Sequence, residues 1–222
     1  MIIEKPAGLP SVPRKGAQSN PELADSVEHR IRHGFPGATG PISVHRLDFE
    51  TSGLIVAALD RPTHRALSRQ FMHRKVGKTY AAVLVGHVQD DEGAVDQPLT
   101  VDWPNRPKQH INYERGRHAR TLFRVVERFD TEHGPRTCVD FRPLTGRTHQ
   151  LRVHAAAPIE QGGLGCPIVG ETLYGTPDSP AQRADRLHLH ADHLAFWQPG
   201  SGVWQKFYSP APFARQPGAR PT

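Results

Sequence analysis

Apolar positions along this chain come in short runs, broken by polar residues, glycines and prolines. Leu54 to Leu59, "LIVAAL", has the length and composition of a short buried strand. Asp60-Arg61-Pro62 then reads as a helix start, with proline in the first turn, leading into "THRALSRQFMHRK". "KTYAAVLVGHV" predicts a strand that Gly86 ends. Further strands are expected at 120–129 ("RTLFRVVERF") and 136–144 ("RTCVDFRPL"), and a helix from near Thr148 in "GRTHQLRVHAAA". "RLHLHADHLAFW" and "GVWQKFYSP" predict two closing strands, and residues 14–41 predict a loop, a short helix near 21–33 and another loop. Strands outnumber helices and do not alternate with them regularly. The expectation is therefore an α+β fold on a largely antiparallel sheet.

At 222 residues the chain reads as one domain over 1–210, perhaps with two lobes, and a Pro- and Gly-rich tail over 211–222 that is expected to fray. No apolar run approaches the roughly 20 residues of a membrane helix. The start, "MIIEKPAGLPSVPRK", lacks the apolar stretch of a signal peptide. Cys138 and Cys166 form no metal or redox motif, so a cytoplasmic protein with reduced thiols is expected. Its 28 Lys+Arg against 22 Asp+Glu leave a net charge of +6, which raises nucleic acid as a partner without settling it.

Three separated segments carry candidate chemistry: "HRLDFETSG" around Asp48, "KTYAAVLVG" around Tyr80, and "PLTGRTHQLRVHA" around Arg147. Taken singly, each has a plain reading. Asp48 caps a bend, Tyr80 packs in a strand, and Arg147 is a solvated residue at a helix start. Together, "HRLDFETSGL", "KTYAAVLVG" and "GRTHQLRVH" followed by "GCPIVGETLYG" resemble the motifs of the RluA family of RNA pseudouridine synthases, from residue 2 to 196. "DWPNRPKQ", 102–109, is similar to the branch that modifies both large-subunit ribosomal RNA and the anticodon stem-loop of tRNA. No S4 RNA-binding module is present. The chain begins inside the first motif, so the strand that normally precedes it is expected to be missing or shortened. The segment 157–167 lengthens the turn after the arginine helix, and Glu171 stands where aspartate is commoner.

The resemblance implies a mixed, mostly antiparallel central sheet with flanking helices and a central basic cleft, and a uridine isomerase acting on structured RNA without cofactor or metal; a monomer is expected. It implies Asp48 as the catalytic carboxylate, with Arg147 keeping it charged and Tyr80 packing against the uracil. Arg46 is implied to fill the space of a flipped nucleotide, which costs a few kcal/mol to extrude. Lys5 is expected to buttress the pocket floor and Leu189 to wall it. Arg106 and Lys108, with Trp103 and Tyr113 interleaved, suit RNA phosphates and unpaired bases.

Three alternative readings of the same residues are weaker or differ in one point. Zinc at His188, His190 and His193 lacks a supporting motif. "ETSG" is not the G-x-S-x-G of a hydrolase nucleophile elbow. A catalytically inactive RNA-binding module would treat Asp48 as structural.

Overall fold

The computed structural model describes residues 1–175, 179 and 183–213; most of the expected tail therefore lies outside the described residues. The domain expected over 1–210 is built as two compact units. The first is Met1–Thr79 with His190–Ser209, and the second is Tyr80–Leu189 with the described residues from Pro210 on.

In the first unit, β1 (Ile2–Lys5) pairs antiparallel with β2 (Ser52–Val56), and β9 (Leu189–Trp197) pairs antiparallel with β10 (Trp204–Tyr208). β1 is a four-residue edge strand whose partner row starts at Ile2↔Val56. β2 and β9 run parallel at Ser52↔His190 and Gly53↔Ala191. There a Cβ on Gly53 would lie 2.4 Å from the Ala191 carbonyl oxygen, and φ is +111°, so glycine is required. Gly53 lies inside β2.

Two helices flank this unit. In α1 (Val27–Gly34) the Ser26 hydroxyl caps the His29 N–H, and in α2 (Arg61–Met72) the Asp60 carboxylate caps Thr63. Leu67 and Phe71 of α2 pack on Leu54, Val56, Leu194 and Phe196, which is the amphipathic solution that "RALSRQF" encodes.

In the second unit the strands follow the order β3 (Gly77–Val85), β8 (Gly134–Pro143), β7 (Arg120–Thr131), β4 (Glu92–Asp96), all antiparallel neighbours. A separate ribbon pairs β5 (Leu99–Val101) with β6 (Gln109–Ile111). The α+β class holds, with β2–β9 as the parallel exception. α3 (Gln150–Ala156) packs Leu151 and Ala155 into a core with Leu84, Phe123, Val139 and Phe141. The lengthened segment after α3 folds back on it. N–H groups of Leu164, Cys166 and Gly165 donate to the carbonyls of His154, Ala155 and Ala157, satisfying helix-end acceptors.

One histidine in each unit is held neutral. His45 Nε2 accepts from the Val56 N–H, and its ring stacks on Phe71; burial, aided by the Lys78 charge, pushes its pKa down to about 3. His154 sits between the Thr121 hydroxyl and the Gln97 carbonyl, and burial pushes its pKa down to about 4. Both folded-state values lie below the unfolded value, so the unfolded chain takes up protons first as the pH falls. The stability these groups support is present above about pH 6.5 and declines toward pH 4. Each histidine should cost about 1.2 kcal/mol of stability between about pH 6 and pH 5. Denaturant unfolding of wild type and His154→Asn at the two pH values checks this: the variant should lose its share of the pH slope, and an unchanged slope would contradict it.

Candidate active site

Asp48 opens the turn 48–51 that delivers the chain into β2. The turn is held from outside its own sequence. The Ser11 hydroxyl donates to the Leu47 carbonyl at 2.7 Å and accepts from the Leu47 N–H at 3.0 Å. The Phe49 carbonyl accepts from the Gly8 N–H at 2.9 Å and from the Lys5 ammonium at 3.1 Å. Thr51 N–H closes back on the Asp48 carbonyl. Asp48 thus sits between two anchored peptide groups, with His45 fixing the approach through Val56.

Lys5 is fully buried, and its ammonium also donates to the carbonyls of Pro6 and Leu9. Expected to buttress the pocket floor and grouped with the RNA-binding residues, it is withdrawn from solvent and holds the Asp48 turn through the Phe49 carbonyl. The carboxylate opens on a groove of about 530 Å³ lined by Pro10–Lys15 and Arg46–Phe49. Arg14, Lys15 and Arg46 make its border cationic, and Arg46 is exposed.

The second unit holds the other expected residues. Tyr80, half-buried, immediately precedes the buried stretch 81–84 of β3, is paired with Phe141, and packs on the core that contains Leu189. Leu189 is 2% exposed, so its place is core packing. Arg147 precedes α3, and its Nε donates to the His118 carbonyl at 3.0 Å. The helix starts later than expected because His149 takes a left-handed φ of 52° and ends the turn.

Gln150, buried, organises that turn. Its amide oxygen accepts from the Thr145 hydroxyl and the Arg147 N–H, while its amide nitrogen donates to the Arg120 carbonyl and the Thr121 hydroxyl. Behind it, Arg152 and Glu171 form a buried two-pronged ion pair at 2.7 and 2.6 Å. Glu171 also accepts from the Leu173 and Tyr174 N–H groups. Glutamate in place of the commoner aspartate therefore keeps a complete set of partners. The Tyr174 hydroxyl meets His149 Nδ1 at 2.7 Å and accepts from the Gln109 N–H at 2.9 Å, tying α3 to the β5–β6 ribbon.

The ribbon carries Arg106 and Lys108 on its connecting loop. The Arg106 guanidinium lies 3.6 Å from the centre of the exposed Trp103 ring. Lys108 is held at the loop's neck by exchange with Asp102 and Asn105. Among the described residues, no three His, Cys, Asp or Glu side chains form a group that could hold a metal ion. His190, one of the candidate zinc ligands, instead contacts the hydroxyls of Ser52 and Ser209.

Sequence reasoning did not single out Ser11, Gln150 or Tyr174. Each was in view, Ser11 in "GLPSVP" and the other two inside the third motif, but a clamp formed across 36 residues leaves no local periodicity.

Residues 1–157 match the family model described as RNA pseudouridylate synthase. The chain is 45% identical over 213 residues to "Dual-specificity RNA pseudouridine synthase RluA" of Yersinia pestis, covering 96% of this chain and 95% of that protein. It is 41% identical over 214 residues to the protein of that name in Vibrio parahaemolyticus, covering 96% and 80%. Among solved structures, "Human RNA Pseudouridylate Synthase Domain Containing 1" superposes with a TM-score of 0.74 at 29% identity, covering 96% of this chain and 80% of that one. "Human RNA Pseudouridylate Synthase Domain Containing 4" gives 0.68 at 27% identity, covering 96% and 85%. A match that spans the segments around Asp48, Tyr80 and Arg147 and most of the length of its relatives leaves one conclusion: the chain belongs to the RluA family of RNA pseudouridylate synthases.

Proposed function

We propose that this protein converts specific uridines of structured RNA, in 23S ribosomal RNA and in the anticodon stem-loop of tRNA, to pseudouridine with Asp48 as the catalytic carboxylate. The observation that carries the reading is the Asp48 turn, anchored through Leu47 and Phe49 and opening on a groove bordered by cations. A group that must act on one glycosidic bond gains from such fixing, since positioning alone can supply several kcal/mol of barrier lowering.

The chemistry balances within the substrate. The N1–C1′ bond breaks, the uracil turns, a C5–C1′ bond forms, and the C5 proton leaves to solvent while N1 is protonated. Oxidation state is conserved, and no water is added. The reaction asks for a carboxylate at the sugar–base junction, and Asp48 has that assignment. Arg147 is assigned the cation that favours the ionised carboxylate. Tyr80 is assigned the aromatic face for the uracil, and Arg46 the planar cation that replaces part of the lost stacking. The same reading puts the protein in the cytoplasm with those RNAs, and one copy suffices because one chain supplies every assigned residue.

Because the C5 hydrogen is lost once per turnover, unmodified transcripts labelled with tritium at uridine C5 give a direct test. Purified protein should release tritium in proportion to pseudouridine formed. Binding without release would instead support an inactive RNA-binding module.

In the same assay Asp48→Asn should slow release by about a thousandfold or more, the range for removing a group that acts directly in the chemistry. Its RNA affinity should hold or rise slightly, because a negative charge has left a polyanion's groove. Near-wild-type release by the Asn protein would end the assignment.

The ribbon generates a separate expectation. Replacing Arg106 and Lys108 together with alanine should weaken RNA binding and flatten the dependence of log affinity on log salt by about one to two units. Single-turnover rates at saturating RNA should change much less. A salt titration of both proteins reads this, and an unchanged slope would reduce the ribbon to a connector.

A further inference from the structure

The segment Pro10–Lys15 is more rigidly held than a connecting loop requires. The Pro10 and Ser11 carbonyls accept from the Val27 and Glu28 N–H groups at 2.9 and 3.2 Å, which satisfies the open first turn of α1. The Ser11 side chain grips Leu47. At Arg14 the N–H donates to the Leu23 carbonyl at 2.9 Å and the carbonyl accepts from the Ala17 N–H at 3.1 Å. The backbone is tied down along this strap while the side chains of Arg14 and Lys15 are exposed.

The Arg14 guanidinium carbon lies 4.7 Å from the centre of the Phe49 ring, and Phe49 is 41% exposed although it adjoins Asp48. A surface cation–π pair accounts for the contact itself. It does not account for an exposed phenylalanine on a turn anchored from outside its own sequence, at the border of the Asp48 groove. A planar cation backed by an aromatic ring is a surface on which a nucleobase stacks, and an anchored backbone removes much of the ordering cost of holding it there.

We propose that Arg14, laid on Phe49, is a stacking subsite for a base next to the target uridine, with Lys15 adding charge for the adjoining phosphate. This rests on the reading of the protein as an RNA uridine isomerase. It adds a contact that reads the neighbour rather than the uridine itself. Stacking tolerates any base, so the subsite contributes affinity and register and not base identity.

The test compares binding of a stem-loop RNA containing the modified uridine with two versions in which the 5′ or the 3′ neighbour is abasic. Wild-type protein should bind one abasic RNA about tenfold more weakly than the intact RNA, within the range for loss of one stacked base. Arg14→Ala should bind the intact RNA about tenfold more weakly and lose nothing further on that abasic RNA. Arg14→Lys should keep the wild-type salt slope and still bind weakly, since it restores charge without the plane. The proposal is overturned if the variant and abasic losses multiply, if neither abasic RNA weakens wild-type binding, or if the Lys variant binds like wild type. Tritium release by wild type on the intact RNA is measured on the same preparation. Its absence would sink the isomerase reading, whereas with release present the binding comparison decides the subsite alone.

Discussion

The Lys5 ammonium is withdrawn from water and has to find its hydrogen-bond partners inside the protein. An unpartnered ammonium in that position would cost several kcal/mol, so the carbonyls of Pro6, Leu9 and Phe49 are held where the cation needs them. Two of those carbonyls belong to the N-terminal segment and the third to the turn that bears Asp48. One cation therefore locks a motif at the start of the chain to a motif more than forty residues later. Ser11 repeats the arrangement from the other side of Asp48, through both polar groups of Leu47. The β1–β2 pairing, with Lys5 opposite Gly53, sets the register that makes both contacts possible.

The second unit uses amides and an ion pair to the same end. Gln150 spends its side chain on Thr145, Arg147, Arg120 and Thr121, so the turn that carries Arg147 is fastened to the start of β7. The buried Arg152–Glu171 pair stands behind it, satisfied at both carboxylate oxygens. Such a pair adds little net stability but fixes geometry, because breaking it strands a buried charge. Through Tyr174 the fixed region extends to the ribbon with Arg106 and Lys108. In both units the residues assigned to chemistry are held by neighbours that touch backbone.

Much of this was legible in the sequence. The period and punctuation of "RPTHRALSRQFM", with Asp60 before and proline in the first turn, predict α2 closely. The long strands β3, β7, β8, β9 and β10 follow from apolar runs that end at turn residues. The short elements were not legible: β4, β5 and β6 are brief, mostly half-exposed, and stand only through their pairing. His149 shows another limit, since its left-handed backbone delays α3 by two residues from the start expected at Thr148. The site divides similarly. Asp48, Tyr80 and Arg147 stand out because their motifs resemble a known family. Ser11 and Gln150 do not, because their importance lies in what they hold across long stretches of chain. Lys5 was noted as a buttress, and its burial gives that role a physical basis.

The central claim is that the reaction depends on Asp48 being fixed by groups that never meet the RNA. The Ser11→Ala protein measures this directly, since it removes one hydroxyl that serves both sides of Leu47 and leaves every assigned catalytic group in place. Single-turnover pseudouridine formation at saturating RNA should fall by about ten- to a hundredfold, the penalty for a displacement of about an ångström in a reacting group. RNA affinity should change little by comparison, and stability should fall by about 1–3 kcal/mol because Leu47 loses a buried partner. A folded Ser11→Ala protein that forms pseudouridine at the wild-type single-turnover rate would contradict the account.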